Sequence, residues 1–296
     1  MGNLKIAFGT IIFNGNNTFE ESLKTIYPYA SQILIAEGPV KFWQDKGFTT
    51  SIDGTNEMLD SFPDPDNKMK IVHGQYSEKL EQTNAYMQYI NDDIDYLWNL
   101  DSDQVFKPED IEAIIGILEK SNKTYTLVKV SSITFFGGFD RYITGFEEAA
   151  GFPALYRVYP GSRWLKHRYP TMKHKQKPLK EKVLKAQFLT NKGIRLYHYS
   201  AVFALHVSQK IKYYTELIGN GIIIDNYYTD VWRKWIYGNR AMKKAIEKHY
   251  KGVHEFKPHK RGDSYTKRFT GEHPKLIKEN MEKLRNKFHK QLKKYG

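Results

Sequence analysis

A chain of 296 residues is long enough to bury a sizeable core, and 40% hydrophobic with 15% aromatic residues exclude a disordered chain. The absence of cysteine excludes disulfides and thiolate metal sites and suits a reducing compartment. Forty-six Lys and Arg against 33 Asp and Glu leave a net charge of +13, which attracts phosphates on nucleotides, nucleic acids or lipid headgroups.

The opening MGNLKIAFGTIIFNGNN lacks the long apolar core of a signal peptide, and no stretch approaches 18 apolar residues. Ile6 stands where a myristoylation signal wants Ser or Thr. A cytoplasmic chain is expected, soluble or peripheral at a membrane surface. Residues 4–13, rich in branched and aromatic side chains, predict a buried strand. The sequence Thr18-Phe19-Glu20-Glu21 predicts a capping box opening a helix with Phe19, Leu23 and Ile26 on one face. A second strand is expected over 32–36, ending at Glu37-Gly38, and Phe62-Pro63-Asp64-Pro65-Asp66 marks a turn. The third strand, 68–73, leads to a helix capped by Ser77, with Leu80, Thr83, Met87 and Ile90 sharing a face. Residues 96–100, YLWNL, form the fourth strand. Pro108 then opens a helix carrying Ile111, Ile114, Ile115 and Leu118.

Strand alternates with helix four times over about 120 residues, which predicts an α/β fold with a mostly parallel central sheet and flanking helices. From residue 124 the pattern becomes strand-rich, with Gly137-Gly138 as a turn, and beyond about residue 205 it becomes helical. The expected division is an α/β domain over 1–205 and a basic helical extension over 206–296. Between Arg163 and Lys185 stand nine Lys or Arg and one acid, Glu181.

Parallel sheets bind ligands in the crevice at the carboxyl ends of their strands. The unusual polar residues fall there: Asn14, Glu37, His73 with Gln75, and Asp101 with Asp103. In an extended segment residues i and i+2 face the same side, so Asp101 and Asp103 are expected to act together with Ser102 pointing away. Two hard carboxylates suit Mg²⁺ or Mn²⁺, which also binds a substrate diphosphate.

With this acidic motif after a buried strand, the chain resembles the family-2-type glycosyltransferases of the GT-A fold, whose hallmark is an Asp-x-Asp at the end of a central strand. Lys79-Leu80-Glu81-Gln82-Thr83-Asn84 occupies the place of the family's helix with a basic residue and an Asn. The strand ends at Asn14 and Glu37 look like its donor-nucleotide pocket. The segments GSRWLKHRYPTMK, RLYHYSAV and FTGEHPKLI are similar to a less characterised bacterial and viral branch.

The resemblance implies a donor-binding half over about 1–105 and an acceptor half over about 106–205. It implies a nucleotide-diphosphate sugar as donor, bound through Asn14, Glu37, Lys79, Gln82, Asp101 and Ser102. A Mn²⁺ or Mg²⁺ ion would be held by Asp103, by Asp101 directly or through its water shell, and by His198. Arg157, Arg163, His167 and Arg168 are expected to clamp phosphates or acceptor. An inverting transfer needs a base for the acceptor hydroxyl, and Glu147 and Glu148 are the candidates, ahead of Asp140 and Asp225. The family's Gln-x-x-Arg-Trp signature is missing, which leaves the base and a retaining mechanism open.

The acceptor is expected to be a hydroxyl of a glycan, a lipid-linked saccharide or a protein, and the lysine-rich tail fits an anionic membrane surface. Another metal-nucleotide enzyme, such as a nucleotidyltransferase, is the first alternative. A nucleic-acid-binding protein accounts for the charge but not for acids aligned at strand ends, so nucleic acid is disfavoured. Arg261-Gly262-Asp263 reads as a basic turn. His249, His254 and His259, five residues apart, do not align on one helix face and predict no metal site.

Overall fold

The computed structural model describes residues 4–168, 170–174, 181–219 and 221–296. Met1-Gly2-Asn3 and the middle of the basic 163–185 stretch lie outside them. In chain order the principal elements are β1 (Ile6–Ile12), α1 (Phe19–Ile26), β2 (Gln32–Glu37), α2 (Thr55–Asp60), β3 (Met69–His73), α3 (Lys79–Met87), β4 (Tyr96–Asn99) and α4 (Pro108–Lys120). There follow β5 (Leu127–Phe136), β6 (Arg141–Ile143), α5 (Phe146–Ala149), β7 (Gly151–Arg157), β8 (Leu196–Ala201), α6 (Ala204–Ile218), α7 (Arg240–His249), β9 (Thr266–Arg268) and α8 (Met281–Tyr295). The alternation expected from the sequence is present, in a mixed α/β fold with a mostly parallel sheet and flanking helices.

The chain forms two compact units. The first comprises Met1–Val130 and Gly151–Ile194, and the second Ser131–Ala150 and Arg195–Gly296. The 206–296 segment thus shares a unit with residues 131–150 and 195–205.

In the first unit the strand order is β7-β4-β1-β2-β3, with β1 parallel to β2 and β4, β2 parallel to β3, and β7 antiparallel on β4. Six of seven residues of β1 and all six of β2 are buried, as expected for parallel strands covered on both faces. The register aligns Ile12 with Glu37 and Glu37 with His73. The carboxyl ends of three strands therefore finish in one row. Trp98 stacks on Phe8 at 5.2 Å and meets Phe106 edge-on at 4.8 Å, filling the core beneath that row.

Helix α3 differs from its expected face. Its buried residues are Gln82, Thr83, Tyr86 and Met87, so Gln82 and Tyr86 replace Leu80 and Ile90 against the sheet. Gly9 explains the ring: a Cβ there would stand 2.9 Å from the Tyr86 ring. Trp164 Nε1 donates to Tyr86 Oη at 3.2 Å, and burial pushes this phenol above its ordinary pKa. The capping expectations also change. Thr18 sits at ψ 9°, makes no side-chain cap and leaves its buried hydroxyl without a partner. An extended cap conformation is needed to reach the first-turn N–H groups. At α3 the roles invert: the Glu81 carboxylate accepts from Ser77 N and Oγ at 2.5 Å.

The second unit is built on the end of β5, which pairs antiparallel with β6 and parallel with β8, while β9 extends β6. Phe135 stacks on Tyr199 at 4.8 Å and meets Phe269 edge-on at 5.0 Å. His273 Nε2 donates to Phe139 O at 3.0 Å, so its Nδ1 accepts from Tyr199 Oη at 2.9 Å. In α8 the buried residues Leu284, Phe288 and Leu292 recur every four positions, the stripe of a helix laid on a core. Among the described residues no helix is long and apolar enough to cross a membrane.

Candidate functional site

The first unit gathers Asn14, Glu37, Lys79, Gln82, Asp101, Ser102 and Asp103; the second holds Glu147, Glu148 and His198.

At the end of β1, Asn14 adopts the left-handed conformation at φ 52°, which Asn tolerates better than most residues. The turn it begins is clasped by the loop before α2. Asn14 N donates to Ser51 Oγ at 2.9 Å, and Asn14 Oδ1 accepts from Ile52 N at 2.7 Å. Gly15 N reaches Thr55 Oγ1 at 3.1 Å, and Asn16 N reaches Asp53 Oδ2 at 3.0 Å. Asn14 is 1% exposed, and its side-chain Nδ2 has no partner. A buried donor left unmade costs free energy. The 51–55 clasp was absent from the sequence reading; its signal was the close run of short polar side chains Ser51, Asp53 and Thr55.

Glu37 is buried at 2% exposure. Its Oε1 accepts from Ser51 N at 3.2 Å, and its Oε2 lies 3.2 Å from His73 Nδ1. The Asn56 amide completes the set when its nitrogen faces Glu37, donating at 3.1 Å while its oxygen accepts from Thr50 at 2.6 Å. Glu37 therefore holds the 50–56 loop to the sheet edge. Gln82 also turns inward. Its Nε2 donates to Ala36 O and Gly38 O at 3.0 Å and to Ile12 O at 3.4 Å, binding the ends of β1 and β2 together.

The acidic motif departs from the extended geometry expected of it. Gln104 N donates to Asp101 O at 3.0 Å, closing a turn, and the Gln104 amide returns to Asp101 Oδ2 at 3.1 Å. Asp101 is exposed, Ser102 half-buried and Asp103 buried at 6%. The i, i+2 rule fails because the backbone turns rather than extends. Ser102 lies against Gly15, where a Cβ would come within 2.6 Å of its Oγ. The structure therefore sets the acidic turn beside the Asn14-Gly15 turn.

Arg157 is committed elsewhere. It pairs with Asp95 at 3.0 Å, as does Lys123 at 2.7 Å. Burial, reinforced by the Lys79 charge, pulls the half-buried His167 down to about 3, so it stays neutral at physiological pH. Arg163 and Arg168 are exposed. Of the weaker base candidates, Asp140 pairs with Arg285 at 2.7 Å, and Asp225 lies 3.4 Å from Lys257.

In the second unit the two glutamates of α5 divide. Glu147 is 4% exposed; its Oε1 accepts from His254 Nε2 at 2.8 Å, and its Oε2 accepts from Thr134 Oγ1 at 3.3 Å. Arg261 stands 3.6 Å from Oε1. Burial alone would raise this carboxyl, but the His254 hydrogen bond and charge outweigh it and hold the group below its ordinary value. Phe256 N lies 3.1 Å from His254 Nδ1, and the imidazole turns its Nε2 proton to Glu147. His254 thus has a partner that its spacing from His249 and His259 gave no means of seeing. Glu148 is half-buried, with Tyr142 Oη 3.5 Å from its Oε1. His198 is half-buried on β8, its Nδ1 3.5 Å from Thr134 Oγ1. Among the described residues no group of three or more His, Asp or Glu is placed to hold a metal ion.

Residues 49–190 match the family described as Glycosyl transferase family 2. Solved structures of S. aureus TarS are similar at TM-scores near 0.34. One shares 9% identity over 52% of this chain and 28% of its own, with TM-score 0.34. TarS residues 1–349 in complex with UDP-GlcNAc share 10% identity over 52% of this chain and 45% of their own, with TM-score 0.34. The 4-diphosphocytidyl-2C-methyl-D-erythritolsynthase from Anaerococcus prevotii DSM 20548 shares 12% identity over 52% of this chain and 70% of its own, with TM-score 0.28. The chain spans less than half the length of the TarS structures it matches. No curated protein matches it. The matched segment contains α3, β4 and the acidic turn, so this segment is similar to the family-2 glycosyltransferases, and the mostly parallel sheet with flanking helices is consistent with the GT-A fold.

Proposed function

We propose that the chain transfers a sugar from a nucleotide-diphosphate sugar to a hydroxyl acceptor by direct displacement. The observation that carries this reading is the row of strand ends in the first unit. There the Asn14 amide, whose Nδ2 has no partner, and the exposed Asp101 stand on neighbouring turns at the carboxyl edge of a parallel sheet, Asp101 within the segment that matches the family.

In that reading the acceptor oxygen forms a bond to the anomeric carbon as the bond to the diphosphate breaks. The acceptor's proton passes to a carboxylate. Glu148 is the better suited of the two candidates, because Glu147 is buried and already holds His254. The donor set fits a hard cation only as one shared with diphosphate oxygens: two carboxylates in one turn, with no cluster of three protein ligands among the described residues. Asp101 and Asp103 would hold Mg²⁺ or Mn²⁺, which when bound offsets the charge building on the departing diphosphate. The Asn14 amide would donate to the nucleotide, and Lys79 would add positive charge near the phosphates.

A thermal-shift screen of nucleotide sugars with and without Mn²⁺ tests this. A donor at about 100 times its dissociation constant stabilises by about 2.7 kcal/mol. At least one donor is expected to raise Tm with Mn²⁺ present, and Asp101→Ala, at an exposed position, should shrink that shift without changing the unliganded Tm. Turnover should release a nucleoside diphosphate; release of pyrophosphate, or no shift with any donor, would overturn the proposal.

A further inference from the structure

Residues Arg163–Lys166 and Thr171–Lys173 of the first unit pair antiparallel, as a two-stranded hairpin apart from the main sheet. Its inner face is fastened to α3. Asn84 Nδ2 donates to Trp164 O at 3.0 Å, and Trp164 N donates in turn to Asn84 Oδ1 at 2.9 Å. The Trp164 indole is 3% exposed, donates to Tyr86 Oη and meets the Tyr156 ring edge-on at 4.8 Å. The register then decides what the outer face carries. Trp164 pairs with Met172, so the next pair, Arg163 with Lys173, turns to the opposite side, and both are exposed. Side chains directly opposite have Cβ atoms about 4.5–5.5 Å apart, and like charges there destabilise the pairing. No Asp or Glu stands between Tyr159 and His174 to offset them, whereas Lys166 and Arg168 add two further exposed cations. From Asn84 the first strand runs back toward the opening turn of α3: burial, and then the nearby Lys79 charge, keeps the His167 imidazole neutral. Because α3 opens soon after β3 ends at His73, Lys79 stands on the carboxyl side of the sheet.

A hairpin with a purely structural role would gain from an acid opposite a base. A rigid pair of cations with no acid beside it suits an anion arriving from outside. The guanidinium fork matches phosphate oxygens, and the ammonium adds a point charge. Nucleic acid would also offer bases, which need exposed rings to stack on, and Trp164 faces inward. A lipid surface takes up an apolar face, and among the described hairpin residues Leu165, 46% exposed, is the one large apolar side chain turned outward. We infer that this hairpin is a docking track for a linear polyanion with a phosphate in each repeat, gripped between Arg163 and Lys173, and that Asn84 is the positioning residue holding the track to α3. That the polyanion is the acceptor rests on the transferase reading; that the hairpin binds it does not.

The test is titration of the full chain with long-chain inorganic polyphosphate at several salt concentrations, with poly-L-glutamate and single-stranded DNA as rival polyanions. Polyphosphate should bind most tightly. Counterion release makes log K fall linearly with log salt, and each lost phosphate contact should lower that slope by about one. Arg163→Ala and Lys173→Ala, both at exposed positions, should each do so and weaken binding about fivefold or more. Lys120→Ala, at an exposed position of the same unit, should leave the slope unchanged. Asn84→Ala removes no charge and should still weaken binding, which separates a positioned track from net charge; if that variant does not fold, the two exposed positions decide. No binding by the wild-type chain, preference for a rival polyanion, or equal slopes in wild type, Arg163→Ala and Lys173→Ala overturns the inference. Track-dependent polyphosphate binding while no nucleotide sugar shifts Tm would sink the transferase reading and leave the track standing; the converse result would do the opposite.

Discussion

Replacing Gly38 with alanine is expected to leave little or no folded protein. Gly38 ends β2 at φ 136°, a conformation that L side chains rarely adopt, and a Cβ there would stand 1.8 Å from Gly74 O. No side chain can yield, because the obstacle is backbone. Gly38 N donates to Ile12 O at 3.0 Å, and Gly74 N donates to Glu37 O at 3.0 Å. Relief would therefore separate the strand ends that carry Glu37 and the Asn14 turn. The backbone conformation alone costs about 1–3 kcal/mol. The clash should take the total above about 4 kcal/mol, the range of exceptional substitutions. Gly138→Ala separates the two effects. Gly138 has φ 140° but nothing within 4 Å of a Cβ, so it should show the conformational cost alone. Soluble yield and Tm decide the matter: equal effects of the two substitutions would mean that the close approach to Gly74 is not what requires glycine.

His254→Ala should be the most damaging substitution in the second unit away from glycine. It removes the partner of a carboxylate that stays buried, a loss of about 3–5 kcal/mol. For a chain of this size that is a fall in Tm of roughly 6–15 °C. Its pH dependence carries a sign. In the wild type the Glu147 carboxyl is held below its ordinary value of 4.5, so the ion cluster's contribution is fully present above pH 4.5 and is lost as pH falls through the lower folded-state value. Without His254, burial is opposed only by Thr134 and the more distant Arg261, so the carboxyl rises, which penalises the folded variant at neutral pH. The Tm deficit should therefore be largest near pH 7 and shrink toward pH 4. A deficit independent of pH would show that packing, not the carboxylate, accounts for the loss. His254→Gln, which keeps a side-chain N–H, should recover part of the stability.

Both predictions depend on contacts between segments remote in sequence, and the sequence reading was weakest there. Apolar runs such as IAFGTII and QILIAE identify β1 and β2 without ambiguity, because a strand buried on both faces must be continuously apolar. Pro108 and the spacing of Ile111, Ile114 and Leu118 likewise mark α4. These are local rules of backbone geometry and burial. They place Asn14, Glu37 and the Asp101–Asp103 segment at the carboxyl edge of a parallel sheet.

The partners chosen by each polar group could not be read this way. Gln82 and Tyr86 face the sheet because Gly9 leaves room for a ring and the ends of β1 and β2 present carbonyls to an amide. Helical periodicity assigned that face to Leu80 and Ile90. Asp101 and Asp103 differ in exposure because Gln104 closes a turn where an extended chain would have aligned them. The Ser51, Asp53 and Thr55 clasp on the Asn14 turn, and the His254 and Arg261 clasp on Glu147, join loops whose meeting depends on how whole elements stack. The sequence by itself determined the α/β alternation, the basic charge and the sheet edge at which the polar residues gather. Only the tertiary structure decided which carboxylates are buried and which face outward, because a side chain's environment there is set by the segment folded against it, not by its neighbours along the chain.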